Sequence, residues 1–381
     1  KAMKSDSGKY IGFGFFREDG GWNDTYLGPV IRKDWLDEQD LEMPETIDDL
    51  DHVIRVFNDA YDAKFSFSWD SRFNNIGLAG AFGAHGGIVF QMYVDDGEVK
   101  LAQIEPEWRD YVAKLNEWYE DDLIDQDIFE LDDTLTQTKA LNGEMGVSFT
   151  SMGQLSNWVR DAEKAENGAE WVGMPYPTDE DGNLVSVFGG YGIEPNYIAF
   201  LTPDIDEDKI PIALRVLDYA YTDEGSLYWN YGKQGVSWDY DENNEVQFLP
   251  LVTEDPDGQN DAVTKYAGAV WNGPCIQLTH FLHLKNTEVS IEANDIWYYS
   301  NVEQTYEDKL PPGFSFTLDE AREVANIETP ISTYISECSS QFVTGEKSLD
   351  EFDEFVQNIY DMDLERLTEI YQAAYDRFMD R

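Results

Sequence analysis

The sequence predicts an α/β fold of two domains. Its 381 residues are enough for two domains of the usual ~100–200 residues each, and 42 % of them are hydrophobic, which is sufficient for a packed core. Segments with apolar residues at helical spacing alternate with short apolar runs that end in turn residues, and this alternation is typical of α/β proteins. The chain contains no internal repeat and no low-complexity tract.

The first clear elements are two helical segments separated by a proline. The segment 31–37 is apolar, basic and helix-prone, and it runs to a break at Pro44. A new helix then begins, because Thr46 is a good N-cap residue and Asp49 follows at the spacing of a capping box. Apolar residues form one stripe over 46–61, which predicts a single amphipathic helix.

Further helices follow from the same periodicity. Pro106, at a first-turn position, opens a helix that carries aromatic residues as far as Tyr119. The pattern over 210–229 predicts one continuous helix. Two more apolar stripes, over 349–359 and 364–378, predict a C-terminal helix pair.

Short strands are predicted between these helices, where β-branched and aromatic residues cluster. They are 88–94, 99–101, 145–149, 196–201, 236–238 and 246–249. The first two are joined by Asp96 and Gly97, a pair that favours a two-residue hairpin turn. The stretch 251–262 is rich in Asp, Pro, Gly and Asn and is predicted to be a long surface loop.

The net charge of −51, from 77 acidic and 26 basic residues, limits the partners of the chain. The negative electrostatic field of this charge repels nucleic acid and anionic membranes, because binding to phosphate requires Lys and Arg. It also disfavours an acidic ligand unless basic residues are concentrated locally. No apolar run approaches the ~20 residues of a membrane-spanning helix. We expect a secreted or salt-tolerant surface.

Metal and cofactor sites are not predicted. The turn at 239–243 has the first three ligand positions of a calcium loop, but Asn244 and Pro250 stand where Gly and Glu are needed. Cys275 and Cys338 are 63 residues apart without metal-binding spacing, and the sequence leaves a disulfide between them open. We expect no metal and no cofactor.

Seven segments, in order, resemble the extracellular solute-binding proteins of bacterial carbohydrate ABC transporters, a family-one type with a lipoprotein subgroup. They are 8–12, 81–83 with 97–100, 119–125, 142–147, 222–225 with 229–236, 342–346 and 371–377. The paired segments Thr-Asp-Glu-Gly and Trp-Asn-Tyr-Gly-Lys-Gln-Gly-Val are the longest of these matches. Each piece alone is weak, and it is their shared order that carries the resemblance.

This resemblance implies a two-lobed, periplasmic-binding-protein-like fold with hinge crossovers. Such proteins close on a sugar or oligosaccharide and deliver it to a membrane permease, and they are not enzymes. The resemblance further implies a monomeric, extracellular, cell-surface lipoprotein, whose signal peptide and lipobox are not in this chain. We expect a carbohydrate ligand and an ABC permease as partners, and no nucleic acid.

The resemblance also implies a division into lobes. Residues 12–200 and 325–381 correspond to a complete second lobe, whereas 1–11 and 201–324 correspond to the hinge and an incomplete first lobe. Relatives carry about a hundred further residues of ordinary domain structure before the segment that resembles 8–12. We therefore expect a fragment or a trimmed form, with the apolar faces of 210–229 and 246–249 either exposed or capped by something that is absent here.

A sugar-binding cleft needs aromatic rings for the apolar face of the ring and polar groups for its hydroxyls. The candidate ligand-binding residues with these properties are Arg17, Glu18, Trp22, Trp69, Arg72, Ser151, Met152, Gln154, Trp158, Tyr191, Trp238 and Trp271.

Several candidates rest on the chemistry of their local sequence. The turn that contains Ser151, Met152 and Gln154 follows a strand and begins a helix, and a helix N-terminus offers free N–H donors. Tyr191 lies between glycines that allow close approach of the backbone. Trp238, the last residue of the predicted strand 236–238, is a candidate because it borders a loop rather than lying on a helical stripe. For each, ordinary packing or a strand-entry turn is the alternative.

Other candidates rest on the resemblance. It places Trp69 at the cleft wall and Arg17 and Glu18 at a position of polar contact, while Trp22 follows in a glycine-rich loop. The alternatives are loop packing for Trp69, an ion pair with a neighbouring acid for Arg72, and an exposed loop for the others.

Two other functions remain open from the sequence. A glycoside hydrolase needs two cleft carboxylates, and 77 acidic residues supply such a pair by chance. A lectin-like cell-surface module would bind sugar without a transport role. The chain lacks the serine-hydrolase elbow, the P-loop and the dinucleotide-binding fingerprint.

Overall fold

The structure is a computed structural model that describes residues 3–10, 12–18, 20–67, 76–185, 193–256, 258–268, 273–301 and 309–381. The strands are β1 (Phe13–Arg17), β2 (Leu27–Arg32), β3 (Lys64–Ser66), β4 (Met92–Asp95), β5 (Glu98–Leu101), β6 (Met145–Ser151), β7 (Trp171–Gly173), β8 (Ile193–Ala199), β9 (Trp238–Tyr240), β10 (Val246–Phe248) and β11 (Cys275–Gln277).

The helices surround these strands. They are α1 (Gly21–Asp24), α2 (Lys33–Glu38), α3 (Ile47–Tyr61), α4 (Ile76–Gly80), α5 (Pro106–Glu120), α6 (Asp133–Asn142), α7 (Met152–Ala165), α8 (Ile210–Tyr219), α9 (Asp223–Tyr231), α10 (Pro250–Thr253), α11 (Gln259–Tyr266), α12 (Thr279–Lys285), α13 (Glu288–Asn301), α14 (Leu318–Thr344), α15 (Phe352–Asp361) and α16 (Leu364–Met379). In the described part of the chain, no helix combines the length and apolar composition needed to cross a bilayer. The predicted α/β class is confirmed.

The larger sheet has four strands in the order β3-β6-β2-β7. Its central strand β2 is antiparallel to both β6 and β7, whereas β3 is parallel to β6. All six residues of β2 are buried, as expected for a strand covered on both faces. This sheet brings the carboxyl end of β6 next to the start of β2.

Helix α3 has the boundary that the sequence predicts. The Asp49 backbone N–H donates to the Thr46 Oγ1 at 3.1 Å, and the Thr46 N–H donates to the Asp49 carboxylate at 3.0 Å. This reciprocal pair is a capping box, and it satisfies backbone donors at the start of the helix. The predicted helix 31–37 is wrong at its start, because Ile31 lies in β2 and the helix begins at Lys33.

A second sheet has three strands in the order β11-β1-β8, and two further sheets are two-stranded, β9 with β10 and β4 with β5. Strand β1 runs parallel to β11 and antiparallel to β8. Arg17 and Gln277 are the last paired residues of β1 and β11, so their side chains emerge at the same edge. Parallel strands of an open sheet commonly present a ligand site at this carboxyl edge.

The prediction of one helix over 210–229 is wrong, because the chain turns between α8 and α9. Thr222 caps α9 by accepting a hydrogen bond from the Gly225 N–H at 3.0 Å. A Cβ atom at Gly225 would lie 1.7 Å from the Tyr219 carbonyl oxygen, so only glycine fits there. The predicted loop 251–262 is also wrong, since most of it forms α10 and α11.

The apolar face of α8 is exposed, as the sequence predicts. None of its residues is buried, and Ile212 and Val216 keep 55 % and 66 % of their surface accessible. The other predicted exposed segment is partly buried, because Phe248 of β10 packs against Phe281 with ring centroids 6.5 Å apart.

The predicted hairpin and the predicted C-terminal helix pair are both confirmed. Strands β4 and β5 pair antiparallel around Asp96 and Gly97, which both have positive φ, 50° and 85°. Two consecutive positive φ values are the geometry of a type I′ turn. Helices α15 and α16 pack against each other at the C-terminus.

Helix α13 lies directly against the four-stranded sheet. The Trp297 indole N–H donates to the Pro29 carbonyl at 2.9 Å, and the ring lies over Gly28. Gly173 of β7 faces Ala293 at similarly close range. The predicted division assigns this helix to the other lobe, whereas its contacts are with this sheet. The division into lobes stays a prediction.

This close packing generates a stability prediction. A Cβ at Gly28 would lie 2.4 Å from the Trp297 ring, so Gly28→Ala should lower the free energy of unfolding by about 2 kcal/mol through overpacking. Urea denaturation measures the change. In a Trp297→Leu background, which is itself destabilised but has space at this point, Gly28→Ala should cost less than about 0.5 kcal/mol. Equal costs in the two backgrounds would contradict this packing.

Candidate functional site

A cavity of about 240 Å³ is lined from both sheets. We call it the cleft cavity, and its lining residues lie within the segments 17–26, 151–157, 260–264 and 277–286. The carboxyl ends of β1, β6 and β11 line part of it, and residues of α1, α7, α11, α12 and the adjoining turns line the remainder. The volume is below the roughly 300–1,000 Å³ of pockets for drug-sized ligands, so it suits one ring or one end of a longer molecule.

Arg17 is a buried cation at the wall of the cleft cavity. Its side chain is only 4 % exposed. The guanidinium donates to the Asn23 carbonyl and lies over the Tyr26 ring, 4.6 Å from the centroid. Such stacking on an aromatic face holds the guanidinium plane in place.

The N-terminus of α7 forms the opposite wall. Ser151 caps this helix by accepting from the Gln154 N–H at 3.1 Å, and the Met152 N–H donates to the Tyr26 carbonyl at 2.9 Å. Gly153, in the same first turn, also lines the cavity. The first turn of a helix presents N–H groups that lack intrahelical partners and carries a partial positive charge.

Three side-chain amide oxygens that line the cavity are buried and accept no hydrogen bond from any described residue. They belong to Asn23, Gln154 and Asn260. Leaving a buried acceptor unsatisfied costs about 1–3 kcal/mol, so such groups call for a donor. Hydroxyl groups of a ligand are donors of this kind.

Lys285 is a partly buried cation of the cleft cavity, at the last turn of α12. Its burial, together with the nearby charge of Arg160, lowers the pKa of the ammonium group to about 8, and Asp261 opposes this shift. The Arg160 guanidinium donates to the Lys285 carbonyl at 3.0 Å, which holds the two cations next to each other.

Four of the predicted site residues line the cleft cavity: Arg17, Ser151, Met152 and Gln154. Glu18, next to Arg17, instead accepts a hydrogen bond from the Thr279 N–H at 2.9 Å. The ligand-binding roles of all the candidates stay predictions.

The predicted tryptophans that the structure describes, Trp22, Trp158 and Trp238, do not line this cavity. Trp22 donates its indole N–H to Asp295 at 2.6 Å. Trp158 is buried on α7, where its ring contacts Trp171 at 5.2 Å, so it belongs to the helix core. Trp238 is buried in strand β9 rather than in a loop, and it donates to the Gly232 carbonyl at 2.9 Å. Burial of a large apolar ring in a core gives more favourable free energy than its placement at a solvated cleft, because more apolar surface leaves water.

The remaining predicted residues, Trp69, Arg72, Tyr191 and Trp271, lie outside the described residues. The cleft-cavity residues that sequence reasoning missed include Asn23, Asn260 and Lys285. The polar composition of 251–262 suggested a loop, so Asn260, which lies on α11, was not recognised as a candidate. Lys285 carries no motif, and its position becomes apparent only from its tertiary neighbours.

The cysteines and the acidic residues form no metal site in the described part of the chain. No group of three or more His, Cys, Asp or Glu side chains there has a geometry that could hold an ion. Cys275 and Cys338 are both buried and free, and they pack in separate core clusters, so the open question of a disulfide is answered in the negative.

The pKa of Lys285 generates a prediction about stability. Because the folded state binds this proton less tightly than the unfolded state, the free energy of unfolding should rise as the pH increases from about 8 to 10.5. At pH 7 the buried charge destabilises the fold, so Lys285→Met should raise the free energy of unfolding by roughly 2 kcal/mol.

Urea denaturation at several pH values measures both effects. Lys164→Met, which removes a charge that is 71 % exposed at the other end of α7, is the matched control and should change little. The prediction fails if Lys285→Met has the same pH dependence as the wild type.

The sequence of the chain was compared with protein families and with known proteins. No protein-family model matches the chain. The chain is 23 % identical over 373 residues to the fructooligosaccharide ABC transporter substrate-binding protein FusA of Streptococcus pneumoniae serotype 4. The match covers 91 % of this chain and 65 % of FusA, so the chain spans just under two thirds of the length of that relative.

Solved structures match over almost the whole chain. The alginate-binding protein AlgQ2, in a structure without calcium ion, matches with a TM-score of 0.79 and 21 % identity, covering 98 % of this chain and 76 % of AlgQ2. FusA of S. pneumoniae in complex with kestose matches with a TM-score of 0.75 and 21 % identity, covering 100 % and 78 % of the two chains. These proteins are binding proteins rather than enzymes. The predicted resemblance is thereby confirmed, and the chain has the two-lobed α/β fold of the solute-binding proteins of ABC transporters.

Proposed function

We propose that the chain is the substrate-binding component of an ABC importer and that it captures a sugar or oligosaccharide in the cleft cavity. The observation that carries this proposal is the set of three buried amide oxygens, on Asn23, Gln154 and Asn260, that converge without partners on one cavity. Sugar hydroxyls supply the donors that these oxygens need.

The descriptions of similar proteins support the same class of ligand. FusA is described as binding fructooligosaccharides and has been solved with kestose, and AlgQ2 is described as alginate-binding. All of these ligands are carbohydrates. Because the sequence identity to these proteins is low, the identity of the sugar has to be inferred from the residues of this chain.

The contacts across the cavity support a capture mechanism. The Asn260 amide of α11 donates to the Gly153 carbonyl at 3.2 Å and to the Asn157 side-chain oxygen at 2.8 Å, both on α7. These bonds link two walls of the cavity, so a motion that separates α7 from α11 would break them. A ligand that contacts both walls would shift the open and closed populations by its differential affinity for them.

The finer parts of the proposal follow from the importer role. The partner would be an ABC permease, and the protein would act outside the cell as a monomeric lipoprotein. The lobes would correspond to 12–200 with 325–381 and to 1–11 with 201–324. The ligand-binding residues would include Arg17, Ser151, Met152 and Gln154.

The two other functions are less well supported by the cavity. Among the described residues, Asp261 is the one carboxylate that lines it, whereas a glycoside hydrolase needs two at a set separation. A lectin-like module would use a similar cavity and is distinguished by whether a permease accepts the loaded protein. Release of a cleaved product would favour the hydrolase.

A ligand screen tests the proposal. Neutral and acidic oligosaccharides should raise the midpoint of thermal unfolding if they bind the folded state, because binding adds to the stability of that state. Isothermal titration calorimetry then gives the dissociation constant for the sugars that respond. No response to any sugar in the screen would contradict the proposed function.

Gln154→Met tests whether the cavity is the site. It removes a buried oxygen without a partner and keeps the side-chain length, so stability should stay the same or increase slightly. Affinity for the sugar should fall about 10-fold, which corresponds to about 1.4 kcal/mol. Gln357→Met on the exposed face of α15 is the matched control and should leave affinity unchanged. Equal affinities for the two variants would place the sugar elsewhere.

A further inference from the structure

Two adjacent cations, Lys285 at the wall of the cleft cavity and Arg160 beside it, lack the carboxylate partner that most described basic side chains of this protein have. Lys285 and Arg160 form no ion pair within 4.0 Å with any described residue. The Arg160 Nη1 is buried and has no hydrogen-bond partner in the described part of the chain. Both groups therefore face the cost of burial without an ion pair in contact, since the nearest acidic groups act on them only from a greater distance.

This arrangement is unusual for a chain with 77 acidic and 26 basic residues, because a carboxylate is available almost everywhere. Most described basic side chains are paired with one. On neighbouring elements, Lys265 of α11 lies 2.8 Å from Asp255, and Lys139 of α6 lies 2.9 Å from Asp125. Lys285 is thus an exception at the wall of the cleft cavity.

The other charged groups around Lys285 do not neutralise it. Asp261 on α11 lines the same cavity and acts on Lys285 from beyond ion-pair distance, while Arg160 adds a second positive charge behind it. Arg17 adds a third positive charge at the wall. The first turn of α7, at Gly153, contributes the partial positive charge of a helix N-terminus.

We propose that the cleft cavity binds a sugar through an acidic group, a carboxylate, which pairs with the Lys285 ammonium. This inference rests on the proposed function and specifies the class of carbohydrate. The unpartnered amide oxygens would receive the hydroxyl groups of the same sugar. The local cations offset the repulsion that the net charge of −51 exerts on an acidic ligand.

Matched ligands test the inference. Trisaccharides of galacturonate, mannuronate and guluronate, together with sialyllactose, would each be titrated beside the corresponding methyl ester, which keeps the shape and removes the charge. We expect at least one acid to bind the wild type 10-fold or more tightly than its ester. Lys285→Met should abolish this preference, Lys285→Arg should keep most of it, and the control Lys164→Met should leave it intact.

A second experiment measures the uptake of protons when the ligand binds. At pH 8.5 the amine of Lys285 is largely neutral, so pairing with a carboxylate should draw in roughly half a proton or more. Calorimetry in buffers of different ionisation enthalpy measures this uptake. The acid should show it, whereas its ester and the Lys285→Met variant should not.

The outcomes separate the two levels of the proposal. If esters or neutral sugars bind as tightly as the acids and Lys285→Met changes neither, the inference about charge is overturned while the proposed function stands. If neither series binds, both are overturned. If the acids bind preferentially and the preference depends on Lys285, both are supported.

Discussion

The geometry of the cleft cavity depends on the close packing of α13 against the four-stranded sheet. Gly28 and Gly173 leave no room for a side chain where Trp297 and Ala293 approach, so the helix sits on the sheet backbone. Residues 277–286, which supply one wall of the cavity, come just before this helix. Buried hydroxyls add to the attachment, since the Ser156 Oγ on α7 donates to the Ser290 Oγ at 2.9 Å. The wall with Lys285 is thereby fixed relative to α7.

Much of the fold could be predicted from the sequence, because its signals are local. The Thr46–Asp49 capping box, the Asp96–Gly97 turn and the apolar stripes of α5, α15 and α16 all report short-range geometry. The break between α8 and α9 was missed, because apolar periodicity continues across a turn that Thr222 and Gly225 impose. Helix α14 was missed as well, although its capping residues Thr317 and Glu320 form the same motif as α3.

Less of the site could be predicted, because its defining property is the absence of a partner. A sequence shows that Gln154, Asn260 and Lys285 are polar, but only the folded arrangement shows which of their atoms lack a partner. Tryptophan content suggested stacking platforms, yet Trp158 and Trp238 are buried in the core, where a large ring gains most from leaving water. The first turn of α7, which does line the cavity, was singled out by a local rule about helix N-termini, and its role in ligand binding stays a prediction.

The two thiols of this protein have a practical consequence. Cys275 and Cys338 are both buried, and burial raises the pKa of the Cys275 thiol to about 12, so it holds its proton at neutral pH and is a poor nucleophile. Maleimide reagents should therefore not react with either thiol of the folded native chain. Pairs of cysteines introduced on opposite sides of the cleft can be labelled with fluorescent dyes without first removing either native thiol. Energy transfer between such dyes would report hinge motion directly, one molecule at a time.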